Sequence, residues 1–142
     1  MQVRDFREEA RERHEPMQKA AEALEHAAAE TGADRLGEMA DALEDVSTAL
    51  TAHIALTEGQ DGTHADLLAA APRLANDIRL LTKDHEDLEI LIDTTRVVLR
   101  SPPDQQVIDE HVGRLLDQIA RHRLRDADMV YEAYQVDIGG QA

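Results

Sequence analysis

Apolar residues recur along this chain in alternating steps of four and three, the period of one buried face of an α-helix. The first such stripe is Ala10, His14, Met17, Ala21, Leu24 and Ala28. The second is Leu36, Met39, Leu43, Val46, Leu50, His53 and Thr57. The third is Leu74, Ile78, Leu81, His85, Leu88, Ile92, Thr95 and Leu99, and the fourth is Ile108, His111, Leu115, Ile119, His122, Asp126, Met129 and Ala133. In every stripe a histidine stands where the pattern calls for a core hydrophobe.

Breaks in the pattern delimit the elements. Thr31-Gly32-Ala33-Asp34 reads as a helix stop followed by a cap, and Ser101-Pro102-Pro103-Asp104 as a second break that offers caps. Gly59 to Thr63 reads as a loop, and His64 to Ala71 as one or two helical turns. Pro72 restarts the chain at a first-turn position. Pro16 suits a first turn too, so a regular helix starts near Glu15, with the segment before it helical or extended. The tail from Val136 to Gly140 ends the last helix. Helices are thus predicted over roughly 4–31, 35–58, 72–100 and 104–135. Short connections make the first and second, and the third and fourth, antiparallel neighbours. The expected fold is all-α, one up-down-up-down antiparallel four-helix bundle over 1–142.

Such a bundle lets the heights of the histidines be compared. Counted from a turn near residue 33, His14 lies 19 residues back and His53 lies 20 forward. Counted from a turn near residue 102, His85 lies 17 back and His122 lies 20 forward, an offset of about 4.5 Å. Four imidazoles therefore fall in one layer, and a dimetal centre with ions about 3.5–4 Å apart absorbs that offset. Glu89 follows His85 by four residues and Asp126 follows His122 by four, so each pair shares a helix face. Glu58 follows His53 by five and reaches the layer only if the helix loosens before Gly59.

A lone seam histidine is ordinarily a hydrogen-bonded core residue. Four in one layer, two with a carboxylate at i+4, favour a metal site, because several buried titratable groups are costly without a metal or a complete hydrogen-bond network. His26 lies off the His14 face and is read, with His111, as a capping or surface residue. His64 is read as solvated in a loop. Tyr131 and Tyr134 follow the last candidate ligands and are read as core packing, or as neighbours of the ligands that gate access.

Composition narrows the partners. With 30 acidic and 15 basic residues the chain carries a formal charge of −15, which repels nucleic-acid backbones and anionic membranes. It has no cysteine, which excludes disulfides, thiolate zinc sites and cysteine nucleophiles. No run approaches a membrane span, and Met1 to His14 is too charged for a signal peptide, so a cytoplasmic location is expected.

The segments Arg13-His14-Glu15-Pro16, His53 through Glu58, Asp84 through Glu89, and Arg121 through Asp126 resemble, in order, the ligand-bearing segments of the hemerythrin and HHE cation-binding family. The resemblance implies a non-haem di-iron centre, oxo- or hydroxo-bridged. It would have His14 and His53 on one iron, His85, Glu89 and His122 on the other, and Glu58 and Asp126 as bridges. The chain departs from the oxygen-carrying hemerythrins at three places: they have histidine at Glu89, their helix 2 carboxylate at Thr57, and their helix 4 carboxylate at Ala127. The ferritin-like alternative needs Glu three residues before His, which none of the seven histidines has.

The implied function is binding, sensing or reaction with O2, peroxide or NO, with redox chemistry or sensing expected over oxygen carriage because Glu89 adds an anionic ligand. The nitrogen and oxygen donor set suits iron and also admits manganese or zinc. Two alternatives stand beside it: a catalase- or peroxidase-like di-iron enzyme, and a metal-free acidic helical interaction module.

Overall fold

The computed structural model describes residues 5–100 and 104–133, and it is all-helical over them. Five α-helices follow one another: α1 (Phe6–Ala29), α2 (Arg35–Thr57), α3 (Thr63–Ala70), α4 (Ala75–Arg100) and α5 (Gln105–Ala133). A 3-10 turn, Pro72–Leu74, leads into α4. The Ser101-Pro102-Pro103 break, Tyr134 and the Val136–Gly140 tail lie outside the described residues. No described helix is long and apolar enough to cross a membrane.

The first helix starts at Phe6, close to the expected bound near residue 4, so the segment before Glu15 is helical. Its cap is Asp5, whose carboxylate accepts from the backbone N–H groups of Arg7 and Glu8 at 3.0 and 3.2 Å. Pro16 therefore lies inside α1, where its missing N–H and ring cost about 3 kcal/mol. Burial of Phe6, Ala10, His14 and Met17 on one face offsets that cost.

At the start of α2 the buried residue is Arg35, whereas Leu36, the first residue of the expected stripe, is 37% exposed. The Arg35 guanidinium donates to the Ala28 carbonyl at 3.1 and 2.8 Å, to Gln105 Oε1 at 2.8 Å and to Asp109 Oδ1 at 2.9 Å. It ties the α1–α2 turn to α5, and its five fixed donors explain why it displaces a leucine there. Asp104 caps α5 as expected, accepting from Val107 N–H at 2.9 Å.

Each of α1, α2, α4 and α5 packs on two of the others. The apolar side chains between them form two separate clusters. The larger runs from Met17, Leu24, Met39 and Leu43 to Leu115 and Ile119. The smaller gathers Phe6, Ala10, Leu67, Leu74, Leu81 and Met129 under α3. Between them lies a buried polar layer of Arg13, His14, His53, Thr57, Asp84, His85, His122 and Asp126.

Candidate metal centre

The four seam histidines meet. Ring centroids are 4.7 Å apart for His14 and His53, 4.9 Å for His53 and His85, 4.8 Å for His85 and His122, and 5.3 Å for His53 and His122. His14, His53 and His122 each offer a ligand atom, all within 4.8 Å of one another. Nε2 of His122 stands 3.2 Å from Nε2 of His85 and 3.3 Å from Nε2 of His53. Two nitrogens bound at about 2.0–2.1 Å and separated by a tetrahedral angle are about 3.3 Å apart, which is this spacing.

Carboxylates set the orientation of the rings. Asp84 Oδ2 accepts from Nδ1 of His122 at 3.0 Å, and Glu58 Oε2 accepts from Nδ1 of His85 at 2.5 Å. A carboxylate can only accept, so both rings carry their proton on Nδ1 and turn a lone pair outward on Nε2. Those two lone pairs face each other. A shared cation removes the repulsion, and a carboxylate behind each imidazole is the arrangement that raises ligand basicity. A shared proton would do so only by charging a buried ring, and burial opposes that.

Burial is the largest influence on each perturbed histidine. It pushes His53 down to about 2, with the rings of His14, His85 and His122 adding to the effect. His122 is also lowered by burial, against the opposing hydrogen bond to Asp84. His64 falls to about 4 through burial, although the Asp126 charge pulls the other way. These rings are neutral at pH 7, the state that binds metal.

Asp126 reaches across to α1, away from the histidine four residues before it. Its Oδ2 accepts from Nε2 of His14 at 2.6 Å and from the Arg13 guanidinium at 3.1 Å. Burial alone would raise its pKa, but the His14 hydrogen bond and the Arg13 charge outweigh burial and hold it below the usual carboxylate range. Arg125 stands behind Asp84 in a similar way, donating to Oδ1 at 2.6 Å. Each of the two aspartates thus sits between an arginine and a histidine.

The structure does not bring Glu89 to the cluster, because its side chain is exposed. At about 100° per residue, the buried stripe of α4 through Leu81, Asp84, His85, Leu88 and Ile92 is centred on the Asp84 side of His85, and Glu89 falls on the other side. Glu58 does arrive. Helix α2 ends at Thr57, and Glu58 takes extended backbone with φ −94° and ψ 159°. Its carboxylate meets the outer nitrogen of His85. Thr57 is fully buried and donates its hydroxyl to the His53 carbonyl at 2.9 Å, closing the last turn.

Spacing alone missed Asp84, Arg13 and His64. His64 is buried on α3, with its ring nearly parallel to that of His85 at 9° and 6.2 Å between centroids. His26 is a surface residue paired with Glu30 at 3.1 Å. His111, part-buried, donates from Nδ1 to the Val107 carbonyl at 2.9 Å. Tyr131 is 58% exposed, which excludes core packing. It lines a groove of about 940 Å³ between α1 and α5 that opens onto His14, with Ala10, Arg11, Arg123 and Leu124 among its walls.

The loop between α2 and α3 depends on Gly62. A Cβ there would lie 2.4 Å from the Thr57 carbonyl oxygen and 2.7 Å from that of Glu58. Gly62→Ala is expected to destabilise the fold by about 1–3 kcal/mol by forcing this loop outward. It should also weaken metal binding, since the same loop places Glu58 and leads to His64. Gly113→Ala on α5, where an added Cβ meets nothing within 4 Å, is the control and should be neutral or stabilising. Urea midpoints of the two variants decide the matter, and equal midpoints would refute the close-approach argument.

No protein-family model, curated protein or solved structure matches the chain.

Proposed function

We propose that the chain is a hemerythrin-like up-down-up-down four-helix bundle whose histidine layer holds a pair of iron ions and meets a small oxidant such as O2, peroxide or NO. One observation carries this reading: imidazole nitrogens from three helices face one another at 3.2 and 3.3 Å, with carboxylates on the outer nitrogens of two of the rings. The ordered resemblance of the four ligand-bearing segments agrees with it.

His53, His85 and His122 would hold one ion through Nε2, and His14 with Asp126 would contribute at the α1 side. The donor set of neutral imidazoles and carboxylate suits iron, manganese or zinc. When bound, iron would supply one-electron exchange with the oxidant.

The chain's own residues do the rest. Asp84 and Glu58 fix the ring orientations of His122 and His85, and Arg125 and Arg13 donate to Asp84 and Asp126. The two apolar clusters exclude water above and below the layer. The groove at His14 admits a small solute and is bordered by the Tyr131 side chain.

The test is the metal content and optical spectrum of the purified protein, before and after anaerobic loading with Fe(II) and exposure to air. Bound iron and a near-ultraviolet absorption band that grows in on oxidation are expected. A protein that retains no metal, and whose stability is unmoved by a chelator, is the metal-free interaction module instead.

A further inference from the structure

We propose that His64 supplies its Nδ1 to a second cation of the centre, together with Oδ1 of Asp126. The inference rests on the metal reading above and adds to it a residue from the short helix α3.

Helix α3 has two buried side chains, and they face different surroundings. Leu67 joins the smaller apolar cluster, whereas His64 stacks against His85 at the edge of the polar layer. Nδ1 of His64 is buried and has no hydrogen-bond partner among the described residues, and Oδ1 of Asp126 is in the same condition. Both side chains are more than nine-tenths buried. A buried donor or acceptor without a partner is a substantial defect in a folded protein; Arg13 Nε, His53 Nδ1 and Thr63 Oγ1 share the condition, and His64 Nδ1 with Asp126 Oδ1 is an imidazole and carboxylate pair that one cation would satisfy together. Nδ1 and Oδ1 are also the two ligand types that a borderline divalent cation accepts together.

Position favours the same answer. Nε2 of His122 faces Nε2 of both His85 and His53, whereas the Asp126 carboxylate lies on the α1 side, against His14. Among the charges acting on His64, those of Asp126 and Glu58 are the attractive ones for a cation beside it. With Glu89 turned to solvent, α4 contributes His85 alone to the rings, and α3 brings the additional imidazole.

Apo protein titrated with Co(II) provides the test, read by ligand-field absorption and by metal per chain after gel filtration. Wild type should take up about two ions per chain, and His64→Leu and His64→Asn about one, with binding at the lost position weakened by roughly 100-fold or more. Zn(II)-loaded wild type, labelled with 15N-histidine, should show the His64 Nδ1 resonance displaced by coordination, a readout that does not depend on a variant folding. His64 variants that bind two ions with unchanged affinity and spectrum would overturn the proposal while leaving the metal centre standing. So would a His64 Nδ1 resonance unmoved by Zn(II), the result if buried water satisfies it. Wild type that binds no Co(II) overturns the metal centre itself.

Discussion

Replacing His122 with alanine is expected to strip the protein of bound metal. His122 is the hub of the layer, its Nε2 facing both His53 and His85 and its Nδ1 held by Asp84. Its loss removes the one nitrogen that faces both of the others. Metal per chain after dialysis should fall to background. Asp84→Asn, which leaves the nitrogens in place and weakens only their support, should lower affinity by roughly 10–100-fold. His111→Ala removes a histidine from the same helix outside the layer and should retain full metal content. If His122→Ala and His111→Ala retain metal equally, the layer is not the site.

The metal-free protein is expected to unfold on acidification below pH 6.5, driven first by its buried histidines. His53, His64 and His122 all have folded-state pKa values below the unfolded value of about 6.5, with His53 near 2 and His64 near 4. Above pH 6.5 these rings are neutral in both states and pH has no leverage. As the pH falls below 6.5 the unfolded chain takes up protons that the folded rings refuse, so stability drops. Each ring contributes a slope of up to about 1.4 kcal/mol per pH unit until its folded pKa is reached. Three together approach about 4 kcal/mol per unit, enough to consume a typical stability of roughly 5–15 kcal/mol within a few units.

Asp126 acts lower down. Its folded pKa is depressed, so its contribution is complete above the unfolded carboxylate value and is lost only as pH falls further. Far-ultraviolet circular dichroism of chelator-treated protein from pH 7.5 to 3.5 should therefore show a transition centred above pH 4, and His53→Leu should flatten it. A profile unchanged down to pH 4 would show that the rings are not buried neutral.

The stripes made the four histidines legible, because a period of four and three fixes which face turns inward, and each histidine lay within one. The same arithmetic could not say how wide a buried face is. Arg13 and Asp84 each precede a seam histidine by one residue, about 100° around the helix, and only a neighbouring helix covers that flank. Glu89 looked better placed than Asp84 because an i+4 partner shares its face with His85, yet the stripe of α4 is centred on the opposite side.

Glu58 depended on where α2 stops, which is set by the extended backbone at Glu58 and the left-handed Gly59 at φ +97°. His64 was hidden because α3 has eight residues, too few for a period to declare which side is inner. Arg35 was hidden by its charge, since its burial makes sense only once the Ala28 carbonyl, Gln105 and Asp109 are gathered around it.

The polar layer divides the interior, and that division bears on how the molecule opens. Beyond the layer, Phe6, Ala10, Leu67, Leu74 and Met129 form a small store of apolar surface that is not continuous with the larger cluster. Such a unit can detach with only part of the global unfolding free energy, carrying α3 and the ends of α1 and α5 with it. The four layer histidines lie on α1, α2, α4 and α5, at the seam where detachment would begin. A cation bound there would act as a rivet between two semi-independent halves, so that loss of metal would first be felt as breathing at the α3 end rather than as collapse of the whole.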